Sequence, residues 1–444
     1  MPKKKQTAPK EEKRLVMLVK SGPGAGRKKA SPEANEKPMK IRSITFFLNP
    51  GWPLDERKLR AAGSALADAR LAYEAAGFEV QTTRLACTPF SQWLRADQME
   101  ELPALAQRIE SAMREAGVSY TALGPAQPGN PASYAAIPFA IQATENIFFS
   151  GMMTDKKTGI SLDAIRACAD VIVRAATITP DGFANLRFAA LANVPPGAPF
   201  FPAAYHSGEQ PAFAIATEAA GLAVQAFSQA KSIAEGRAAL VSAIETHARR
   251  MSEIADFLKY KFAARFGGID FSLAPFPEEA KSLGAAMERL GVPRAGLHGS
   301  LAAAAILTEA IDRAEFPRCG FSGLMLPVLE DATLAARAAD GSLTVKDLLM
   351  YSTVCGTGLD TVPLPGNTTA EQLTPLLLDL AALALRLDKP LTARLMPVPG
   401  KQAGDPTGFD FAFFANSRVM ALESEPLRDA LGGRESFDLR TRKQ

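Results

Sequence analysis

The stretch IRSITFFLNPGWPLDERKLRAAGSALADARLAYEAAGFEVQTTRLA, residues 41–86, contains a strand, a helix and a second strand in that order. Its ends, 41–48 and 78–86, are rich in β-branched and aromatic residues, which favour strands. The segment between them repeats large side chains at helical spacing: Leu59, Leu66 and Tyr73. This β-α-β order predicts an α/β fold.

The same alternation continues along the rest of the chain. Eight more strand candidates follow, most of them separated by helical stretches: 118–124, 146–152, 186–194, 269–276, 323–329, 358–364, 391–399 and 411–422. With the first two they make about ten strands, and no Pro/Gly linker divides them. The pattern therefore predicts a single α/β layer system.

Charge is unevenly distributed along the 444 residues. Residues 1–40 hold 12 basic and four acidic residues and no aromatic residue, so we predict a disordered basic tail there. The tail is interpreted either as an electrostatic anchor for RNA or an acidic partner, or as a dispensable extension. The remaining 404 residues are mildly acidic, which makes nucleic acid an unlikely partner for the folded part.

The cysteines and the hydropathy of the chain indicate the cellular compartment. The four cysteines lie far apart without metal-binding spacing, so the sequence predicts no metal site and identifies no cofactor. A reduced, cytoplasmic compartment is the simplest context. The sequence shows neither an uncharged apolar run of about 18 residues nor a signal-peptide core, so we expect no membrane association.

Two helices and one loop are predicted in more detail. Residues 240–262 carry an apolar stripe that includes His247, which we interpret as a core histidine. Residues 370–387 follow a capping-box spacing from Thr368 to Glu371. The segment 193–211 contains five prolines together with aromatic residues, and we predict an ordered loop that lies over or enters a cavity.

Six strings resemble a widespread uncharacterised family that carries domain of unknown function 711. In order they are MKIRSITFFL, NLRFAALANVPPGAPFFPAAYHSGEQPAFA, GGIDFSLAPFP, RCGFSGLMLPVLEDATLA, VCGTGLDTVPLPG and LTARLMPVPGKQAGDPTGF. The resemblance implies a fold similar to pyruvate formate-lyase and anaerobic ribonucleotide reductase. That fold is a ten-stranded α/β barrel of two five-stranded halves, with a loop that can enter the barrel.

The resemblance also implies where the domain begins and ends, and it allows a comparison with the glycyl-radical enzymes. Residues 41–425 would form one α/β-barrel domain, followed by a C-terminal extension over 426–444. Glycyl-radical members of the superfamily carry an Arg-Val-x-Gly-Tyr-like string near the C-terminus. The nearest strings here, SRVMALE (417–423) and RAGLHGS (294–300), do not match it. We therefore expect no glycyl radical.

Cysteine and histidine provide the first catalytic candidates. Cys355, in YSTVCGTGLDTVPLPG, precedes a flexible glycine turn and is either a two-electron thiol nucleophile or a buried apolar side chain. His298 lies in a glycine-flanked turn before an alanine-rich helix, and His206 lies in the proline-rich loop. Both histidines are candidates for acid, base or ligand.

Carboxylates at predicted strand ends are the second group. Asp270, Glu330 and Asp360 lie in or just after predicted strands, where barrel enzymes carry reactive groups. Asp270 and Glu330 are the preferred catalytic carboxylates. Asp331 has a competing interpretation, because an acidic residue that opens a helix favours its dipole. Asp360 also has a competing interpretation, in which its side chain only stabilises the turn of its loop.

Basic side chains in apolar surroundings form the third group. Arg187 and Arg394 lie in predicted strands, so each either pairs internally or points into the cavity to bind an anion. Lys401, in a glycine-containing loop, and Tyr205, in the proline-rich loop, complete the substrate-binding candidates.

These residues lead to one functional hypothesis and one alternative. The hypothesis is an enzyme that performs non-radical acyl-transfer, lyase or hydrolytic chemistry on a small anionic metabolite, either a carboxylate or a phosphate. The alternative is a non-catalytic metabolite-binding or scaffolding protein that retains the barrel. The sequence leaves the substrate and the oligomeric state open, a homo-oligomer included.

Overall fold

The computed structural model describes residues 39–208 and 210–442. The predicted disordered tail lies outside the described residues except for Met39 and Lys40, and Lys40 is the first residue of the first strand. Twelve strands are present in the described part: β1 Lys40–Leu48, β2 Glu79–Cys87, β3 Tyr120–Ala126, β4 Ile147–Met152, β5 Thr154–Asp155, β6 Gly159–Ser161, β7 Phe188–Ala192, β8 Ala212–Glu218, β9 Arg265–Asp270, β10 Gly358–Pro365, β11 Leu391–Val398 and β12 Ser436–Phe437.

Nine of these strands form one large, mostly parallel sheet with the order β10-β11-β7-β4-β3-β2-β1-β8-β9. Five neighbouring strands, from β7 to β1, run parallel to one another. The pairs β8–β9 and β10–β11 are also parallel, and each joins the five-stranded set through an antiparallel contact. A mixed α/β fold is therefore confirmed.

The two edge strands of the sheet, β9 and β10, both contact the segment 318–327. Isolated parallel bridges join Ile269 to Arg318 and Leu273 to Leu324 on one side, and Pro327 to Asp360 on the other. Residues 323–329, predicted as a strand, make only such isolated bridges. The sheet accordingly has nine strands where the sequence predicted ten in a barrel.

Two other strand predictions need correction, and one strand was missed. The strand predicted over 269–276 begins earlier and ends at Asp270. Residues 411–422, also predicted as a strand, adopt turns and extended chain without a named strand. Conversely, β8 was not predicted, because its sequence AFAIATE is dominated by small alanines and lacks a distinct β pattern.

Eleven α-helices connect the strands in the described part: α1 Glu56–Ala75, α2 Leu102–Glu115, α3 Pro131–Ala143, α4 Leu162–Ala176, α5 Ala220–Gln229, α6 Ile233–Lys261, α7 Leu283–Arg289, α8 Ser300–Arg313, α9 Ala332–Asp340, α10 Val345–Tyr351 and α11 Ala370–Arg386. The long helix α6 confirms the stripe predicted over 240–262. The capping box of α11 is made by Thr369 and Gln372, one position later than predicted.

The interior face of the sheet is covered by the proline-rich loop. Phe200 and Phe201 are buried, in two separate apolar clusters that include side chains of β1, β2, β3, β4, β7 and β8. Phe201 meets the ring of Phe148 edge-on at a centroid distance of 5.5 Å. The prediction of an ordered loop at a cavity is confirmed, and this loop forms one wall of the site described next.

The C-terminal segment belongs to a smaller sheet. Strand β12 pairs antiparallel with β6, which in turn pairs with β5. The division into a domain over 41–425 and an extension over 426–444 stays a prediction.

Candidate functional site

A small cavity of about 70 Å³ lies between the proline-rich loop and the ends of several strands. Its walls combine aromatic and aliphatic side chains with an unusual number of charges. The residues that line it include Arg42, Thr82, Arg84, Tyr120, Phe148, Leu186, Phe200, Phe201, Ala216, Met325, Glu330 and Arg394.

Strand register brings the charged side chains together. Arg42 lies where β1 changes register against β8, and such irregularities redirect a side chain. Arg84 on β2 pairs with Thr45 of β1 and with Tyr120 of β3. Three neighbouring strands of the sheet therefore contribute to one wall of the cavity.

Buried ion pairs link the opposite wall to the first. The Nε of Arg394 donates to Asp360 Oδ1 at 2.6 Å, and its Nη2 donates to Glu330 Oε1 at 2.7 Å. The other oxygen of Glu330 accepts from Nη2 of Arg42, whose Nη1 donates to the carbonyl of Pro275 at 3.0 Å. Arg394 and both carboxylates are almost fully buried, so each needs its partners to remain charged.

The pKa values follow from this arrangement. Burial alone would raise the pKa of Glu330, but Arg42 and Arg394 hold it below its usual value. Burial raises the pKa of Asp360, and Arg394 opposes this effect only in part. The two carboxyl groups share one arginine yet differ in their tendency to hold a proton.

Arg84 differs from the other two arginines because no carboxylate of the described residues pairs with it. Its Nε donates to Thr82 Oγ1 at 2.9 Å, and its guanidinium lies 5.1 Å from the Phe201 ring centroid and 5.7 Å from that of Tyr120. Over residues 39–208 and 210–442, its two terminal nitrogens donate to no protein acceptor. Burial and the neighbouring Arg42 lower the pKa of Arg84, so an anion beside it would relieve an unfavourable charge.

Cys355 does not line this cavity. Its side chain is 1% exposed and belongs to the main apolar core, and its backbone N–H donates to the carbonyl of Tyr351 at 2.8 Å. Its own carbonyl accepts a hydrogen bond from Nζ of Lys389. This environment matches the interpretation of Cys355 as a buried apolar side chain.

The histidines are not brought together at the cavity. His206 is buried, and its backbone N–H donates to the carbonyl of Cys87 at 2.9 Å. His298 is exposed in the turn that precedes α8. His247 is half-buried on α6. None of the three is among the cavity-lining residues.

Asp270 and Asp331 accept hydrogen bonds that hold the chain. Asp270 accepts from the backbone N–H groups of Phe321 and Ser322, both at 3.0 Å, and from Ser272 Oγ at 2.5 Å. Burial raises the pKa of Asp270 even so. Gly320 lies against this carboxylate with a φ of +62°. A Cβ added at Gly320 would lie 2.2 Å from Oδ2 of Asp270. Asp331 caps α9, as its competing interpretation stated.

The remaining substrate-binding candidates lie elsewhere. Arg187 is in a 3-10 turn before β7, and it donates to the carbonyls of Thr144 at 2.6 Å and Ile141 at 2.9 Å at the end of α3. Tyr205 donates to the carbonyl of Val194 at 2.8 Å. Lys401 lies in the turn after β11. Of the predicted site residues only Glu330 and Arg394 line the cavity.

Two side chains of the cavity were missed by the sequence reasoning. Arg42 and Arg84 lie in the strands IRSITFFL and FEVQTTRLA. Arg42 is an arginine within a largely apolar strand, the same signal that selected Arg394, whereas Arg84 lies in a strand rich in polar residues. Applied to every strand, that criterion would have found Arg42 but not Arg84.

The described residues contain neither a cluster of metal-binding side chains nor a helix that could span a membrane. Within 39–208 and 210–442 there is no group of three or more His, Cys, Asp or Glu side chains that could hold a metal ion. No helix in the same ranges is long and apolar enough to cross a membrane.

The fold and the cavity define a mixed α/β protein whose interior collects three arginines and two carboxylates. The chain belongs to the family described as Uncharacterised ACR (DUF711), whose model matches residues 34–415. This finding confirms the family that the six sequence strings indicated.

Relatives occur in archaea and bacteria. A UPF0210 protein of Pyrobaculum arsenaticum is 32% identical over 365 residues, which cover 79% of each chain. One from Methanopyrus kandleri is 31% identical over 369 residues, covering 79% of this chain and 81% of the relative. One from Actinobacillus succinogenes is 28% identical over 368 residues, covering 80% and 82%. These names describe no activity, so function has to be argued from the residues.

Proposed function

We propose that this protein is an α/β-barrel enzyme that binds a small carboxylate or phosphate metabolite at the interior cavity. It performs non-radical acyl-transfer, lyase or hydrolytic chemistry there. The observation that carries the proposal is Arg84, a guanidinium at the cavity whose terminal nitrogens lack a protein acceptor among the described residues. Arginine with free parallel donors is well suited to carboxylate or phosphate.

The barrel is part of the proposal. The segment 318–327 would close the sheet as a tenth strand, since it bridges β9 on one side and β10 on the other. The four strands β8, β9, β10 and β11 together with this segment would then match the five parallel strands from β7 to β1. Two such halves, with a loop inside, would resemble the pyruvate formate-lyase fold.

The proposed roles use the groups that line the cavity and one ion-pair partner of Arg394. Arg84 binds the anionic group, and Arg42 and Arg394 hold Glu330 in its ionised form. Glu330 is the ionised carboxylate that accepts a proton from the ligand, while Asp360, which does not line the cavity, keeps Arg394 in place through its ion pair. No step is assigned to Cys355, His206, His298 or Asp270, because none lines the cavity.

The non-catalytic alternative is favoured by one specific observation. Cys355 is buried among apolar neighbours, and neither His206 nor His298 lines the cavity, so the cysteine and histidine candidates do not converge. Under this alternative the same cavity binds a metabolite without converting it. A cytoplasmic location fits both functions, since all four cysteines are free.

Metabolite capture tests the proposed function. The full-length protein is incubated with a mixture of cellular metabolites and desalted, and the retained molecules are identified by mass spectrometry. We expect an anionic metabolite to be retained by the wild type and lost about tenfold or more in Arg84→Gln. Arg249→Gln is the matched control, because Arg249 is exposed on α6 and its replacement by glutamine removes the same charge.

The outcomes separate the two functions. If no anion is retained, or if Arg84→Gln retains it as well as the wild type does, the cavity is not the binding site. If a metabolite is retained, its conversion is followed over time with the wild type and with Glu330→Gln. Loss of turnover in Glu330→Gln with binding kept supports the enzyme, whereas binding without any turnover supports the alternative. Circular dichroism verifies that each variant is folded.

A further inference from the structure

The cavity has a definite charge balance. Three guanidinium groups line the cavity together with Glu330, and Asp360 pairs with Arg394 outside the lining, which leaves one positive charge in excess. Lys40 and Lys281 lie near the cavity, but they face three carboxylates, Glu79, Glu218 and Glu278. These outer groups carry one negative charge in excess and add no positive charge, so the cavity balances a ligand with at most one negative charge.

The surroundings of Arg84 leave one edge of its guanidinium available. Thr82 Oγ1 accepts from its Nε at 2.9 Å and itself donates to the carbonyl of Arg42 at 2.8 Å, which fixes the position of Thr82. The rings of Tyr120 and Phe201 lie beside the guanidinium. The two terminal nitrogens then form a planar pair of parallel donors, the geometry that a carboxylate accepts in a bidentate manner.

Size and polarity restrict the rest of the ligand. The volume of about 70 Å³ has room for roughly four to six non-hydrogen atoms, and a longer ligand would extend through the open side of the pocket. The walls beyond the arginines are largely apolar, with Phe148, Leu186, Ala216 and Met325 among them. A ligand with many polar groups would leave several of them without hydrogen bonds.

From these features, and resting on the proposed function, we infer that the ligand is a short monocarboxylate. Its carboxylate lies on the terminal nitrogens of Arg84, and its short hydrocarbon part lies against Leu186 and Met325. A dianion such as hydrogen phosphate or malonate carries a second negative charge. The cavity has only one positive charge in excess, so this second negative charge is not balanced. It also lies near Glu330 and Asp360, which repel it.

Calorimetric titration of the full-length protein distinguishes these classes. The probes are acetate, propionate, malonate and inorganic phosphate at one neutral pH and one ionic strength. We expect propionate and acetate to bind at least tenfold more tightly than malonate or phosphate. Arg84→Gln is expected to raise the Kd of propionate about tenfold or more, and Arg249→Gln to leave it within about twofold.

Each outcome bears on a different claim. If phosphate or malonate binds as tightly as propionate and Arg84→Gln weakens that binding, the monocarboxylate assignment is wrong while the anion site stands. If none of the four probes binds, or if Arg84→Gln leaves the Kd of propionate unchanged, the monocarboxylate assignment is wrong as well. Metabolite capture then decides whether the proposed function fails with it. Arg84→Lys keeps the charge but loses the planar donors, so a Kd between those of the wild type and Arg84→Gln supports bidentate binding.

Discussion

Replacement of Arg394 by methionine is expected to lower the free energy of unfolding by about 3–5 kcal/mol. Arg394 is 5% exposed and pairs with Glu330 at 2.7 Å and Asp360 at 2.6 Å. Without it, Asp360 has no cationic partner at hydrogen-bond distance and Glu330 keeps only Arg42. A buried carboxylate that loses its partner must either remain charged at a high desolvation cost or take up a proton. Urea denaturation followed by circular dichroism measures the change.

A compensating variant distinguishes charge imbalance from lost packing. Arg394→Met combined with Asp360→Asn removes the carboxylate that loses its cationic partner and keeps the Arg42–Glu330 pair, and we expect it to recover roughly half of the loss. The surface control Arg249→Met should change the free energy of unfolding by no more than about 0.5 kcal/mol. An Arg394→Met protein within about 1 kcal/mol of the wild type would mean that the ion pairs are not buried as described.

The second large effect concerns Asp331, whose replacement by alanine is expected to cost about 3 kcal/mol. Its carboxylate is fully buried and accepts hydrogen bonds at the N-termini of two helices, α7 and α9. The donors are Ser282 Oγ (2.5 Å) and the backbone N–H groups of Leu283 (2.6 Å), Gly284 (3.3 Å), Thr333 (2.9 Å) and Leu334 (3.0 Å). Alanine leaves these buried donors without an acceptor. Thermal and urea unfolding measure the loss.

An ordinary helix cap is the natural comparison for Asp331. Asp55 caps only α1, where its side chain accepts from the backbone N–H of Arg57 at a surface position. We expect Asp55→Ala to cost about 1 kcal/mol, clearly less than Asp331→Ala. Equal costs for the two variants would contradict the double-cap role of Asp331.

The alternation of strands and helices was predictable because most elements carry a clear local pattern. Strands β1, β10 and β11 are largely apolar runs bounded by turns, and their positions follow from the sequence. Strand β8 did not follow, because alanine alternates with larger residues there without a β-branched majority. Residues 323–329 have strand-like composition but make only isolated bridges. Hydrogen bonding of that kind depends on distant chain segments.

The candidate site was predictable only in part. An arginine in an apolar strand is a reliable sign of a buried charge, and Arg394 was selected by it. Whether such a side chain pairs with a carboxylate or caps a helix depends on the tertiary structure. Arg187 donates to carbonyls at the end of α3, a contact that sequence alone does not encode. Cys355 has a flexible glycine context, yet its exposure of 1% depends on packing by remote residues.

The most direct test of the account is a crystal structure of the full-length protein soaked in propionate. We predict density for one propionate whose two oxygens lie within hydrogen-bond distance, about 2.7–2.9 Å, of the terminal nitrogens of Arg84. Its hydrocarbon end should face Leu186 and Met325. A structure in which propionate is absent from the cavity at saturating concentration, or in which the Arg84 nitrogens pair with a protein carboxylate instead, would contradict the central claim.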